Sequence, residues 1–452
     1  MTLLGSKRSA GFCVLSYFAS HASAVLAAVA VFVAMTRSVG SKRTSQSTLA
    51  WLLAIIVAPW LAIPLFLLIG QRKFPGSRKQ HVAEPKPGNS FELLPTGELA
   101  YARLLELIRS AERSIDLTMF IVGRDATGDA LIVALAERAQ RGVSVRVILD
   151  AVGCIRSRRH ACAVLRPVGA EVRVFMPLRH SPIRGRTNLR SHRKLAVFDD
   201  LRVFAGGMNL AEEYMGPQPK TSGEPRWRDV AAACSGPIAA DALAMFESDW
   251  EFCGGVPRAR EKADVDGPKP ATVHGDQTLQ LVPSGPDFET DTIYDVLLTA
   301  IFGARERIAL VTPYYVPDEL LQHALVLAAR RGVCVELVVP AVSNHRVADV
   351  ARRSLLRELR AAGVHVYCYP HGMVHAKGMV VDDTFAYVGS PNFDMRSLFL
   401  NYENALCAHS PRAVAAVFAF IQGLIGESSA QPTSDRERRI LEQLARFLAP
   451  EL

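Results

Sequence analysis

Two copies of one polar cassette, His192-x-Lys194-x4-Asp199 and His375-x-Lys377-x4-Asp382, stand in opposite halves of the chain. Each is followed at the same spacing by a glycine and an asparagine: Gly206 and Asn209 in the first, Gly389 and Asn392 in the second. At ordinary residue frequencies a chain of this length shows one such pattern by accident about three times in a hundred. A lone His-x-Lys reads as a half-buried strand with solvated polar tips. A second copy with the same downstream residues decides against that reading.

An extended chain turns alternate residues to one side, so each cassette presents an imidazole and an ammonium together, with the asparagine amide brought in by the following turn. That set suits a phosphodiester. The ammonium and amide hold non-bridging oxygens while the imidazole reacts. If the two cassettes converge on one cleft, a neutral histidine attacks phosphorus and forms a phosphohistidine, and the other, protonated, delivers its proton to the departing alcohol. The same histidine then deprotonates the incoming acceptor. The reaction calls for no metal or other cofactor, because Lys194, Lys377, Asn209, Asn392 and the two rings supply the positive field. Beyond each cassette lies an acid: Trp227-Arg228-Asp229 and Asn401-Tyr402-Glu403 each lead into an apolar strand and a proline, Pro237 or Pro411. Asp229 and Glu403 are therefore equivalent positions. Each can accept a ring N–H, fix the tautomer and stabilise imidazolium.

The elements that carry the cassettes are themselves duplicated. Arg113-Ser114-Ile115-Asp116-Leu117 recurs as Glu306-Arg307-Ile308-Ala309-Leu310, ahead of Asp125 and Asp318. Arg141-Gly142-Val143-Ser144-Val145 recurs as Arg331-Gly332-Val333-Cys334-Val335, and the glycine of Gly169-x-Glu171-Val172 as that of Gly363-x-His365-Val366. Apolar helical runs alternate with short β-branched runs, which predicts an α/β protein of two similar lobes, with mixed, largely parallel sheets flanked by helices and related by a pseudo-twofold. Pro- and Gly-rich stretches at 74–90 and 254–272 read as linkers, placing the lobes at 76–255 and 270–452. The first lobe inserts a basic segment with Arg179, Arg184, Arg186 and Arg190 ahead of His192. It is either a solvated face or an anion funnel. Ile440, Leu441, Leu444 and Phe447 predict a closing helix, packed on the core or lying on a membrane surface.

The chain of 452 residues is too long for one ordinary core, and its net charge of +8 suits an acidic partner: nucleic acid, an anionic membrane or a phosphorylated substrate. The first seventy-five residues favour the membrane. The runs 11–35 and 49–70 are apolar and long enough for helices across a bilayer core, which takes roughly 20 residues. They predict a transmembrane hairpin, against the alternative of a signal peptide cut near Ala22-Ser23-Ala24. Basic residues flank the hairpin (Lys7, Arg8, Arg72, Lys73, Arg78 and Lys79) more heavily than its loop (Arg37, Lys42 and Arg43), which favours a cytoplasmic location for both ends and for the lobes. Eight scattered cysteines show neither C-x-x-C nor metal-ligand spacing and read as small buried hydrophobes in a reducing compartment. No nucleotide-binding loop is visible.

With these residues in view, the chain resembles the phospholipase D superfamily, whose signature is a doubled H-x-K-x4-D followed by G-[SG]-x-N. Within it the resemblance is to bacterial cardiolipin synthases, carried by the hairpin, Ser191-His192-Arg193-Lys194, Gly206-Gly207-Met208-Asn209 and Trp227-Arg228-Asp229. It continues through Thr312-Pro313-Tyr314-Tyr315-Val316-Pro317-Asp318, Val374-His375-Ala376-Lys377, and Arg396-Ser397-Leu398-Phe399-Leu400-Asn401-Tyr402-Glu403. The resemblance implies an inner-membrane enzyme that transfers a phosphatidyl group between two phosphatidylglycerol molecules, with His192 as nucleophile, releasing cardiolipin and glycerol. It makes His192, Lys194, Asp199, His375, Lys377 and Asp382 the catalytic set, and Asn209, Asn392 and the Ser390 hydroxyl the phosphate ligands. Gly207 sits where the second lobe has Ser390, Pro391 stands where a small residue is expected, and the segment 216–225 is idiosyncratic, a place to alter acceptor choice. Related readings are transfer from phosphatidylethanolamine, hydrolysis with water as acceptor, and a non-catalytic scaffold binding anionic lipid. A nuclease is disfavoured by the membrane runs.

Overall fold

The computed structural model describes residues 19–34, 45–69, 83–177, 189–217, 223–258, 275–430 and 441–442. The N-terminal helices belong to one compact unit, which also takes in Pro286–Glu289. Helix α1 (19–34) packs on α2 (Ser45–Val57) and α3 (Pro59–Ile69) through Ala28, Phe32, Ile55, Ala62 and Phe66. The Phe66 ring lies 4.9 Å from Phe32 and 5.2 Å from Trp51. Ala58 breaks the second run just before Pro59, whose nitrogen has no proton to give a preceding turn. Among the described residues no helix is long and apolar enough to cross a membrane. The outer ends of both predicted spans (11–18, 35 and 70) lie outside the described residues.

The second unit holds both lobes. The first runs β1 (Lys86–Leu94), α4 (Gly97–Arg109), β2 (Ser114–Met119), α5 (Ala126–Gln140), β3 (Ser144–Asp150), α6 (Arg158–Leu165), β4 (Glu171–Phe175), β5 (Lys194–Phe198), β6 (Arg202–Gly206), β7 (Ala231–Ser235) and α7 (Ile238–Phe252). The second repeats it with β8 (Gln277–Ser284), α8 (Thr292–Gly303), β9 (Arg307–Val311), β10 (Tyr315–Val316), α9 (Glu319–Arg330), β11 (Cys334–Pro340), α10 (Arg346–Ala361) and β12 (His365–Tyr369). There follow β13 (Gly378–Val381), β14 (Phe385–Gly389), β15 (Phe393–Asp394), α11 (Met395–Phe399), β16 (Glu403–Ala408), α12 (Pro411–Gly426) and β17 (Ser429–Ala430).

Strand order reads β4-β3-β2-β5-β6-β7-β1 in the first half and β12-β11-β9-β13-β14-β16-β8 in the second, joined at β1 and β8 into one sheet. The order is the same read outward from the join in either direction, as a pseudo-twofold requires. The sheet is mixed, but parallel pairing is confined to β2-β3-β4 and β9-β11-β12. The other pairs are antiparallel, which corrects the largely parallel expectation. The cause lies after each third strand. The chain returns through the cassette and a tight turn at Asp199-Asp200-Leu201 or Asp382-Asp383-Thr384 instead of another helical crossover, and such turns join antiparallel neighbours.

Helices α4–α6 cover one sheet face of the first half and α8–α10 the matching face of the second, each closing its own core. A third core is shared: Leu195, Val197, Ala309, Val311 and Val380 pack with α7 and α12. Asp125 and Asp318, the repeated acids, cap α5 and α9 by accepting from Gly128 N–H (2.9 Å) and Leu321 N–H (3.3 Å). The predicted linker at 74–90 ends sooner than expected, since β1 begins at Lys86. Of the second linker, 254–258 is irregular and 259–272 lies outside the described residues, as do Arg179, Arg184 and Arg186 of the basic insert. Of the closing helix only Leu441 and Glu442 are described; both are helical, and Glu442 pairs with Arg357 of α10. Of the cysteines, Cys154, Cys234, Cys368 and Cys407 are buried as expected, whereas Cys334 is exposed.

Candidate active site

Two exchanges between the halves build the site. The main chain entering β5 bridges the main chain entering β16: His192 N–H donates to Tyr402 C=O at 2.9 Å, and Tyr402 N–H to Arg190 C=O at 2.9 Å. The quasi-equivalent stitch joins Arg228 N–H to Met373 C=O (2.9 Å) and His375 N–H to Arg228 C=O (2.7 Å). Each histidine is thereby set beside the acid of the opposite half. Nδ1 of His192 lies 3.0 Å from both oxygens of Glu403, and Nδ1 of His375 lies 2.6 Å from Oδ2 of Asp229. The pairing is crossed, a relation the repeat alone does not specify. With Nδ1 engaged, Nε2 is the nitrogen the His192 ring offers for reaction, whereas Nε2 of His375 also lies 2.9 Å from Lys377 Nζ.

The electrostatics follow from burial of two cations and two anions together. Glu403, Asp229, Lys194 and Lys377 are at most 1% exposed. Burial pushes each carboxyl upward, but His192 and Lys194 around Glu403, and His375 and Lys377 around Asp229, outweigh it and hold both below the usual range. Burial draws Lys194 down to about 7 and Lys377 to about 8, against the pull of the carboxylates. His192 is lowered by burial, opposed by Glu403. His375 falls to about 3, by burial and then by Lys377, whose Nζ lies 2.7 Å from Nδ1 and 2.9 Å from Nε2 of the ring. Lys194 instead donates to the His192 carbonyl at 2.7 Å. Both rings are therefore neutral near pH 7, and the two carboxylates are offset by the lysines, Lys377 more fully than Lys194. An arriving phosphodiester adds one negative charge. At roughly 4 Å and an effective dielectric of about 20 that is worth ~4 kcal/mol, or about three pKa units, which favours imidazolium in the ring that faces it.

His192, His375, Asn209 and Asn392 line a single cavity of about 270 Å³. Asn209 Oδ1 accepts from Ile121 N–H at 3.2 Å, leaving its buried Nδ2 without a partner. Asn392 Nδ2 donates to Asp394 at 2.9 Å, leaving Oδ1 unsatisfied. Turning that amide over would offer its donor to the cavity and require a protonated Asp394, whose carboxyl burial pushes up. Aromatic rings flank the imidazoles: Phe120 packs edge-on with His192 (4.8 Å) and Tyr214 edge-on with His375 (4.9 Å), while Trp227 lies tilted against His375 (5.7 Å).

Three expected ligands are placed differently. Asp199 and Asp382 do not join the histidines. They sit at the far ends of β5 and β13 with φ of 54° and 51°, where each accepts three consecutive backbone N–H groups. The donors are Glu112, Arg113 and Ser114 for Asp199, and Arg305, Glu306 and Arg307 for Asp382. A five-residue strand of roughly 3.3 Å per residue separates Asp199 from Lys194, so these acids fix the entry to β2 and β9. The Ser390 hydroxyl donates to Glu403 Oε2 and faces that carboxylate. At the equivalent Gly207 a Cβ would lie 2.3 Å from Asp229 Oδ1, which Val230 N–H holds at 2.8 Å, so glycine is required there.

Sequence reasoning missed several residues. Arg193, the intervening residue of the first cassette, is 1% exposed and bonds Asp249, the Glu403 carbonyl (3.1 Å) and the Ser284 carbonyl (3.1 Å), clamping the halves together. Arg190, taken with the basic insert, is buried and donates to Met176 C=O (3.1 Å) beside Asp150 (3.8 Å). Asn401 donates to Glu403 at 3.3 Å. Tyr314, Asn344, His345 and Arg396 line the cavity. Tyr314 and Arg396 fall in segments that carried the resemblance; Asn344 and His345 carried no repeat signal. Among the described residues no group of acids, histidines and cysteines is arranged to hold a metal.

Comparison with known proteins agrees. The family model "Cardiolipin synthase, PLD-like domain" matches residues 104–250 and 297–424, and "Phospholipase_D-nuclease N-terminal" matches 25–71. The chain is 34% identical over 370 residues to the major cardiolipin synthase of Bacillus subtilis (strain 168), covering 80% of this chain and 75% of that one. It is 28% identical over 475 residues to the cardiolipin synthase of Geobacillus sp. (strain WCH70), covering 95% and 93%. A crystal structure of phosphatidylserine synthase from Haemophilus influenzae Rd KW20 superposes with a TM-score of 0.61 at 17% identity over 81% of this chain and 94% of that one, a likeness of fold. Doubled cassettes on a mirrored sheet, and a family match in each half, lead to one conclusion: the chain belongs to the phospholipase D-like family of cardiolipin synthases.

Proposed function

We propose that the protein joins two phosphatidylglycerol molecules into cardiolipin and glycerol. The observation that carries this is the pair of imidazoles lining one cavity, each held through Nδ1 by a buried carboxylate of the other half. Following the family pattern, Nε2 of His192 attacks phosphorus and the bond to the headgroup glycerol breaks. His375, whose protonated form the bound anion favours, passes its proton to the departing oxygen. In the second step His375 takes the proton from the terminal hydroxyl of another phosphatidylglycerol. That oxygen bonds to phosphorus, and the P–N bond breaks with its electron pair returning to His192. One phosphodiester replaces another, so no activated donor is required. Lys194, Lys377, Asn209 and Asn392 supply the positive field, while Glu403 and Asp229 steady imidazolium in turn.

The N-terminal helices are assigned to the bilayer of a bacterial cell membrane as a hairpin, with the lobes at 76–255 and 270–452 on the cytoplasmic side. In its support, Val57, Trp60 and Leu61 are more than 60% exposed, an apolar surface that lipid would cover.

The test is incubation of purified protein with labelled phosphatidylglycerol alone. Cardiolipin plus glycerol is the expected product. Phosphatidic acid would mark a hydrolase, and turnover only after phosphatidylethanolamine is added would mark a different donor. No lipid product under any of these conditions would leave an anionic-lipid scaffold.

A further inference from the structure

The cavity is less symmetric than the cassettes. The Val122–Leu210 bridge of the first half and the Tyr315–Phe393 pair of the second are equivalent, so they fix which positions correspond. Ile121 corresponds to Tyr314, Ala211 to Asp394 and exposed Glu213 to Arg396. Where the first half offers an apolar wall of Phe120 and Ile121, the second offers Tyr314, Asp394 and Arg396, continued by Asn344 and His345. The Tyr314 hydroxyl donates to Asn344 at 2.5 Å, and the Tyr314 ring packs on His345 at 5.8 Å. Among the described residues Arg396 is the one lysine or arginine lining the cavity; Lys194 and Lys377 lie buried behind the histidines. The Asp394 carboxylate is engaged locally by Ser397 N–H (2.7 Å) and Asn392 (2.9 Å). Arg190 adds to the field: burial lowers its pKa, Asp150 opposes, and the like charge of Arg396 lowers it further.

Resting on the cardiolipin-forming reading, the chemistry has two phosphates to satisfy. The reacting phosphate is served by the cassettes. The acceptor lipid brings a second phosphodiester, one glycerol away from the attacking hydroxyl, and nothing in either cassette answers its charge. We propose that Arg396, with the Tyr314–Asn344–His345 wall, binds the phosphate of the acceptor lipid and thereby selects an anionic acceptor over a neutral alcohol. The step it serves is the second one: the acceptor hydroxyl loses its proton to His375, its oxygen bonds to the phosphorus on His192, and the P–N bond breaks. Arg396 touches only the spectator phosphate, so it sets acceptor choice and leaves the bond changes to the histidines.

The experiment reads how the intermediate divides between acceptors. Full-length protein in detergent micelles is given phosphatidylglycerol and isotopically labelled glycerol together. Labelled phosphatidylglycerol reports capture by the neutral alcohol, and cardiolipin reports capture by the anionic lipid. Arg396→Gln is expected to shift the ratio toward glycerol by about ten- to a hundredfold, as loss of one charge-assisted contact implies, and Arg396→Lys by much less. An unchanged ratio in Arg396→Gln would overturn the subsite. If that variant yields neither product, the ratio in Arg396→Met, which likewise lacks the charge, decides, a ratio equal to wild type counting against the proposal. Wild-type protein that makes no cardiolipin would instead refute the underlying reading, so the two failures are distinguishable.

Discussion

Crossed pairing makes a prediction that ordinary alanine scanning would miss. Glu403→Gln and Asp229→Asn keep the shape of the acid and remove its charge, each acting on the histidine of the other half. A carboxylate about 4 Å from the centre of a developing imidazolium, at an effective dielectric near 20, contributes ~4 kcal/mol, so each substitution should slow turnover about a thousandfold. The two losses differ in kind. Without Asp229, His375 is a poor proton donor to the departing glycerol; without Glu403, His192 is a poor nucleophile. A phosphatidyl ester of p-nitrophenol has a leaving group that needs no proton. Rapid-quench measurement of phosphoenzyme formation from this ester should therefore show Asp229→Asn restored to within about tenfold of wild type, with Glu403→Gln still slow by about a thousandfold. The reverse pattern would exchange the roles of the histidines. Equal rescue of both variants, or of neither, would refute the division of labour between the rings.

Three further outcomes are expected. Gly207→Ser forces a Cβ against Asp229 Oδ1 and should reduce turnover by at least about tenfold through displacement of that carboxylate; a fully active variant would show that the close approach is not functional. Asp382→Asn weakens an acceptor of three backbone N–H groups far from the cavity, so it should lower stability by about 1–3 kcal/mol in urea unfolding while kcat of the folded fraction stays within about threefold of wild type. In pH profiles, kcat/KM should fall as pH rises through about 7 to 8, because Lys194 and then Lys377 lose the charge that attracts phosphate, each being cationic only below its pKa. Bound anion favours the ammoniums, so the basic limb of kcat should lie at higher pH than that of kcat/KM; coincident limbs would contradict the charge arrangement.

The duplication was legible because chemistry rarely repeats by accident: His192, His375, their lysines, both asparagines and the acids Asp229 and Glu403 all stand in the spacing pattern. What the pattern did not carry was the direction of pairing. Asp229 and Glu403 are equivalent, and only the inter-strand stitches at Arg228 and Tyr402 determine that each serves the other half. The cassette acids misled for a related reason. Period and spacing identify Asp199 as belonging with His192, yet the strand between them carries it to the opposite end, where its job is to hold a left-handed turn. Strand direction was lost similarly, since a short apolar run looks alike whether its neighbour runs with it or against it. Arg193 was hidden by its place as the unspecified residue of the cassette, and Asn344 and His345 by lying on a loop that only folding brings to the cavity.

Borrowed carboxylates also constrain how the two copies can drift. An internal duplication can in principle leave one copy to decay into a scaffold while its twin retains activity. Here neither can. A lesion in the acid of either copy disarms the ring of its sister, and a solitary half would keep an imidazole with no anion to steady it. Selection therefore acts on the pair as one heritable unit, and divergence is left to the walls around the reaction, where Ile121 and Tyr314 already differ.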